Sequence, residues 1–325
     1  MAALRDEGVL AAALPARLGG LGAGTEPAGA TLVRDALRLL GRGNLAVARL
    51  FEAHVNALRL IERFGAPEQR AQAAADVFAG HLFGLWVTDP PGRPGLRVQG
   101  QGLVGSKGPC SGAGHCTRAL VTADTVGGTR MAVVALSGAE KVRAVTGLQG
   151  MRAAANGTVS LDGARVLFWL GEEGDYLREP EFSCGAWRGS AAASGGIDAL
   201  VEIVGEGLRR RGQAEATMQL ARFGELLIAQ ETARLWVARA AEFAEAESGE
   251  AAERVALVNL ARIAVENAGL DAIRLTQRAL GLAAFVAPHP AERIMRDLAT
   301  YLRQPAPDLV LVEAAAWTLQ QAPAS

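Results

Sequence analysis

Leu82–Gly114 reads LFGLWVTDPPGRPGLRVQGQGLVGSKGPCSGAG. A short apolar run, FGLWVT, gives way to closely spaced proline and glycine, then to Lys107, and then to Cys110 beside Ser111. Three chemistries compete for this stretch: a phosphate cradle, a thiol active site, or a set of turns beside a flat ligand. A P-loop needs GxxxxGK[ST], and here Lys107 is followed by Gly108. A dinucleotide fingerprint needs a helix to open at its last glycine, and the residues beyond these glycines are strand-like instead. For Cys110 as a nucleophile, His115 is the only nearby base, and no third group is identifiable to orient it. Turns between strands are the reading that survives.

Outward from this stretch, the hydrophobic period changes on both sides. Upstream it is helical: Leu32, Asp35 or Ala36, Leu39 and Leu40 recur at helical spacing, as do Leu50, Ala53, Ala57, Leu60, Ile61 and Phe64. Gly65 and Pro67 mark a stop and a restart, glycine suiting a left-handed C′ position and proline a first helical turn. Downstream, ALVTA, MAVVAL and TVSLDGARV continue the short strands between Gly, Asp and Asn turn signals. Short strands with no helix-length segments between them predict an antiparallel barrel or sandwich. From about Ile197 the helical period returns, with stripes at Ile197, Val201, Val204, Leu208 and at Leu226, Ala229, Ala233, Trp236 or Val237, Ala240, Phe243. Val255–Leu280 is apolar over enough of its circumference to be buried on several sides. The expected class is α+β: an N-terminal helical domain (1–80), a middle antiparallel β-barrel domain (81–175) and a C-terminal four-helix-type bundle (185–325).

Composition narrows the function classes. The chain has 325 residues, is 50% hydrophobic and has a formal net charge of -1, which offers no electrostatic footprint for nucleic acid or an anionic membrane. Arg209–Arg211 is too short a cluster to alter this and reads as a solvated loop. Cys110, Cys116 and Cys184 are too few for a disulfide scaffold and suit a reducing compartment. His54, His81, His115 and His289 form no spaced ligand pair, so no metal site is expected. No apolar run reaches the roughly 18–20 residues of a membrane span. The N-terminus lacks a basic segment before its apolar run, so no signal peptide is read and a cytoplasmic location is expected. Glu292 with Arg296, and Arg293 with Asp297, are i,i+4 pairs of structural type.

Taken in order, several segments resemble the acyl-CoA dehydrogenase family over nearly the whole chain. EGVLAAALPARLGGLG resembles the family's opening helix and GG turn, and IERFGAPEQRAQ the approach to its β domain. LWVTDPPGRPG resembles the strand carrying T-E-P-G-x-G-S-D, and GLVGSKGPCSGAG the second flavin strand. LQGMRAAANGTVSLDGARV resembles the G-x-R-x-S strand pair, ARFGELLIAQ the R-x-x-FG helix, and HPAERIMRDLATYL the P-V-E-R-x-x-R-D segment.

The resemblance implies FAD, with FMN as the alternative, held by Trp86, Val87 and Thr88 of the first flavin strand and by Ser111 and Gly112 of the second. It implies contacts across a homodimer or tetramer from Arg222, Phe223 and Gln230. Its implied chemistry is α,β-dehydrogenation of an acyl-CoA or other acyl thioester. Some residues depart from the pattern. Arg93–Pro94–Gly95 replaces the family's GSD, Pro109 its stacking aromatic, and Arg222 lies next to Phe223 instead of three residues before it. The usual glutamate, eight residues beyond Asp297, is Pro305, which has no titratable group. The family's other glutamate position falls near Ser194–Gly196, with Glu202 and Glu206 on the next two turns as candidate bases. The missing glutamate leaves two alternatives: a flavin monooxygenase on the same fold, or a non-catalytic dimeric scaffold or binding relative.

Overall fold

The computed structural model describes residues 1–138, 140–246 and 249–321; the last residues of the expected bundle, 322–325, lie outside them. The chain begins with α1 (Ala2–Asp6), 3-10 turns, α2 (Ala30–Gly43), α3 (Leu45–Phe64) and α4 (Pro67–Phe78). Nine short strands come next among the described residues: β1 (Phe83–Trp86), β2 (Arg97–Gln99), β3 (Gly102–Val104), β4 (Ser106–Cys110), β5 (Arg118–Asp124), β6 (Thr129–Ala135), β7 (Val142–Ala144), β8 (Gly157–Ser160) and β9 (Arg165–Leu170). The remainder is α5 (Glu181–Cys184), α6 (Ala186–Arg210), α7 (Thr217–Glu245), α8 (Ala251–Leu280), α9 (Pro290–Tyr301) and α10 (Pro307–Gln321). The chain divides into two compact units. The first is Met1–Val33, Arg49–Leu148 and Arg152–Phe182; the second is Arg34–Ala48, Gln149–Met151 and Ser183–Ser325.

In the first unit the strands form two open sheets. One has the order β3-β2-β5-β6-β9, with β1 also beside β5; the other is β4-β8-β7. The expected barrel does not close among the described residues, and the sheet is not purely antiparallel. β1 runs parallel to β5 from Phe83 opposite Arg118 to Trp86 opposite Val121, and β2 meets the same edge at Arg97 opposite Asp124. β4 leaves for the second sheet, where its register on β8 slips between Lys107 and Cys110, around Pro109, which has no N–H to donate to a ladder. Ala119–Ala123 and Met131–Val134 are buried without alternation, as continuous apolar runs on central strands should be.

The helical part of this unit meets the sheet through His54, a fully buried side chain on α3. Its Nε2 donates to Leu10 O at 3.1 Å and its Nδ1 accepts from Phe83 N at 3.2 Å, which is possible only for the neutral ring. Burial pushes its pKa down from 6.5 to about 4. On α3 the expected stripe is buried at Leu50, Ala53, Ala57, Leu60 and Ile61. On α2 the expectation is wrong by one residue: Val33 and Leu37 are buried, and Leu32 and Leu39 face solvent. The adjacent Leu32 and Val33 fit either face, and only the packing selects one. Gly65 does end α3, but not through a left-handed backbone; a Cβ there would lie 2.5 Å from Ile61 O.

In the second unit α8 packs against α6, α7, α9 and α10 and is buried at Ala256, Ala261, Val265, Ala272, Leu275 and Ala279, on several sides as expected. Arg209 and Arg210 form the last turn of α6, where cations oppose the helix dipole, instead of a loop. Helix α6 and the 34–48 segment meet backbone to backbone. A Cβ on Gly41 would lie 2.0 Å from Ala192 O, and one on Gly195 would lie 2.0 Å from Arg38 O. Among the described residues no helix is long and apolar enough to cross a membrane.

Two outcomes are expected. Unfolded His54 titrates near 6.5 and folded His54 near 4, so its contribution is complete above pH 6.5 and is lost as the pH falls toward 4. His81 shifts in the same direction, mainly through burial, with Arg118 adding to it. Urea midpoints should show about 2 kcal/mol less stability at pH 5 than at pH 7.5, and His54→Asn should flatten that slope. Separately, Gly195→Ala should destabilise the protein by about 3 kcal/mol, read as a lower thermal midpoint, because rigid backbone faces the added carbon.

Candidate functional site

The first unit brings together most of the residues singled out in Leu82–Gly114. In FGLW, Phe83 and Trp86 are buried, and Gly84 leaves room for the indole: a Cβ there would lie 2.7 Å from Trp86 Nε1. Trp86 is therefore not an open stacking wall. It is 2% exposed, and its Nε1 donates to Ser111 O at 2.9 Å, joining the end of β1 to the turn after β4.

Beyond Trp86, the chain is anchored through its carbonyls. Lys107, buried on β4, donates to Asp89 Oδ1 at 2.7 Å, Thr122 Oγ1 at 2.9 Å and Val87 O at 3.2 Å. Thr122 Oγ1 also donates to Val87 O at 3.1 Å, and Gly108 N donates to Thr88 O at 2.9 Å. All three ammonium protons of Lys107 have acceptors, which is what permits its burial. Thr88 itself is exposed at the end of this anchored segment.

The Ser111 turn is held as firmly. Gly112 sits at φ 74, its N donates to Ala154 O at 2.7 Å, and Ala113 N donates to Ala155 O at 3.0 Å. The Ser111 hydroxyl donates to Asn156 Oδ1 at 2.9 Å and accepts from Arg49 Nε at 3.4 Å. Arg49 also pairs with buried Glu52 at 2.6 Å. Cys110 and Cys116 are buried, and burial pushes both thiols up to about 12, so neither is a thiolate at neutral pH. His115 is exposed. The geometry supplies no nucleophile here.

In the second unit, Asp198 on α6 is buried and collects Arg38 Nη1 at 2.8 Å, Gln230 Nε2 at 2.8 Å and Arg234 Nη2 at 2.8 Å. The amide of Gln230 is thus bound inside the unit. Arg222 donates to Gln219 Oε1 at 3.3 Å and Arg278 O at 3.4 Å, and Phe223 packs beside Gly205. Neither of the two expected glutamate positions presents a base. Pro305 is exposed in the turn after α9, and its carbonyl accepts from Arg262. Ser194 is buried and donates to Ala191 O, and a Cβ on Gly196 would already meet Leu45 and Leu298 at 3.2 and 3.3 Å. Glu202 is ion-paired with Arg42 at 2.8 Å and Glu206 with Arg210 at 2.7 Å, both at the surface. Asp297 accepts from Met151 N at 2.6 Å and holds the Gln149–Met151 segment, while Glu292 pairs with Arg296 at 2.8 Å as the helical spacing implies.

Several solved structures share the backbone that carries these residues. Butyryl-CoA dehydrogenase from Megasphaera elsdenii superposes with a TM-score of 0.83 at 17% identity, covering 97% of this chain and 88% of that one. The FMN and dTDP-sugar complex of KijD3 gives 0.80 at 22% identity, covering 98% and 85%. Nitrososynthase from Micromonospora carbonacea var. africana gives 0.77 at 22% identity, covering 99% and 88%. The chain has the acyl-CoA dehydrogenase fold. No protein-family model and no curated protein matches the sequence.

The sequence reading named Trp86, Val87, Thr88, Ser111 and Gly112, and did not name Lys107, Asp89, Arg49, Asn156 or Asp198 as the residues that hold these segments in place. Asn156–Gly157 was legible only as a turn signal, and Lys107 only as a failed P-loop lysine. Lys107→Met should cost about 2 kcal/mol in urea unfolding and raise proteolysis near Thr88, since it removes three hydrogen bonds that tie β4 to Val87, Asp89 and Thr122. Asp198→Asn, which leaves Arg38 and Arg234 without a carboxylate, should cost about 2 kcal/mol and be partly relieved in high salt.

Proposed function

We propose that this chain is a flavin-dependent oxidoreductase of the monooxygenase type on the acyl-CoA dehydrogenase fold. The observation that carries the choice of type is the treatment of the base positions. Pro305 has no acid, Ser194–Gly196 is packed without space for a longer side chain, and Glu202 and Glu206 are tied to surface arginines. A dehydrogenase must remove an α-proton, and a carboxylate in a surface ion pair one or two turns away is a poor agent for that. Oxygenation needs no such base. Among the proteins with this fold, KijD3 was solved with FMN and a dTDP-linked amino sugar, and a nitrososynthase is another.

The residues present suit the polar edge of a flavin. Thr88 and Ser111 offer hydroxyls on anchored backbone, and the Gly108 N to Thr88 O bond ties their strands together. Where the family places its GSD, Arg93 is exposed and can donate to phosphate oxygens. On this reading the flavin is FAD or FMN, and when bound it supplies the electron transfer and oxygen activation. This chain's residues bind and orient it. Arg222 remains a candidate contact across subunits; Gln230 does not, because its amide is held by Asp198. Exposed Met218, Leu227, Ile228 and Leu235 on α7 support a homo-oligomer, which light scattering should show as at least a dimer.

Dehydrogenation of an acyl thioester is the second reading, favoured by the superposition on butyryl-CoA dehydrogenase. The protein purified without added flavin, then incubated with FAD or FMN and desalted, should retain flavin absorption bands. Under anaerobic conditions a panel of acyl-CoAs should leave those bands unbleached, and a chemically reduced sample should be rapidly reoxidised by oxygen. Bleaching by an acyl-CoA would instead establish the dehydrogenase. A protein that takes up neither flavin would leave the non-catalytic scaffold.

A further inference from the structure

The hydrogen bonds around Ser111 determine more than its position. Arg49 is anchored by its pairing with buried Glu52, whose other oxygen accepts from Asn56 Nδ2 at 3.0 Å. Its Nε donates to Ser111 Oγ at 3.4 Å. A guanidinium has donors only, so the serine oxygen must accept from it. The single hydroxyl proton is then directed away from Arg49, and Asn156 Oδ1 takes it at 2.9 Å. The Asn156 backbone is itself held, its main-chain carbonyl accepting from Val145 N at 2.8 Å, and the Ser111 main-chain carbonyl is held by Trp86 Nε1. The half-buried hydroxyl has only a lone pair left for a ligand.

We propose that Arg49 and Asn156 hold the Ser111 hydroxyl as an acceptor, and that the protein consequently binds a reduced flavin, which carries an additional ring N–H, more tightly than an oxidised one. This rests on the flavin reading above. An oxidised ring presents a bare nitrogen lone pair at the position that gains hydrogen on reduction, and an acceptor-only hydroxyl gives that lone pair nothing. Asn156 and Arg49 are positioning residues here; Ser111 alone touches the ligand.

The test is the two-electron potential of bound FAD or FMN in the wild type, Asn156→Ala, Ser111→Ala and the double variant. Asn156→Ala frees the hydroxyl proton for the oxidised ring. It should reduce the preference for the reduced form roughly tenfold, a lowering of about 30 mV. Ser111→Ala should lower the potential too, and adding Asn156→Ala to it should change nothing further. If Asn156→Ala fails to fold, Ser111→Thr retaining the wild-type potential while Ser111→Ala lowers it supports the same conclusion. Potentials that do not move, or an Asn156→Ala effect that persists without the Ser111 hydroxyl, would overturn the proposal and leave the flavoprotein reading standing. A wild-type protein that takes up neither flavin would overturn both.

Discussion

The first unit depends on one neutral imidazole. His54 links the N-terminal segment at Leu10, helix α3 and strand β1 at Phe83 by using both ring nitrogens in opposite senses, one donating and one accepting. A protonated ring cannot accept from Phe83 N, so burial and neutrality are a single condition. With β1 held there, it can lie parallel along β5, and the chain leaves the sheet at Trp86 in a defined direction. Trp86 and Lys107 then fix the anchored segment Val87–Asp89 and the Ser111 turn. A change at His54 should therefore be felt at residues with which it has no contact.

Asp198 has a comparable place in the second unit, with the opposite electrostatics. It is a buried charge compensated by two arginines and an amide, drawn from the 34–48 segment and from α7. Such clusters are strongly destabilising to break and add modestly to stability when whole, so their main contribution here is to register α6 against its neighbours. Gly41 and Gly195 make that register possible by letting backbones approach where any side chain would collide. The same packing denies Ser194–Gly196 a functional side chain, so the requirements of the fold and the absence of a base at that position are one fact.

Much of the fold was legible from periodicity. The α3 stripe, the buried α8 and the continuous runs of β5 and β6 are all consequences of apolar spacing, because burial of a helix face or a central strand leaves a regular trace. Less was legible where two faces were equally apolar, as at Leu32 and Val33 on α2, or where strand pairing was at issue. Alternation does not say which strand lies beside which, or in what direction, and the barrel expected from it is instead two open sheets. Of the candidate site, Thr88 and Ser111 were proposed from the motif they resemble. Arg49 and Asn156 were not, since each contacts Ser111 across a long stretch of intervening chain.

Taken alone, the sequence determined the order of helical and strand-rich regions, the rejection of a P-loop and the absence of an acid at residue 305. These are properties of spacing and residue type, and no folding can put a carboxylate on a proline. Only the tertiary structure decided that Trp86 is an internal brace, that Gln230 serves Asp198, that Glu202 and Glu206 lie in surface ion pairs, and that the Ser111 hydroxyl donates to Asn156 and accepts from Arg49. Each of those depends on which groups from distant segments arrive within hydrogen-bond distance. The proton on a hydroxyl, like the role of a buried charge, is set by its neighbours in space.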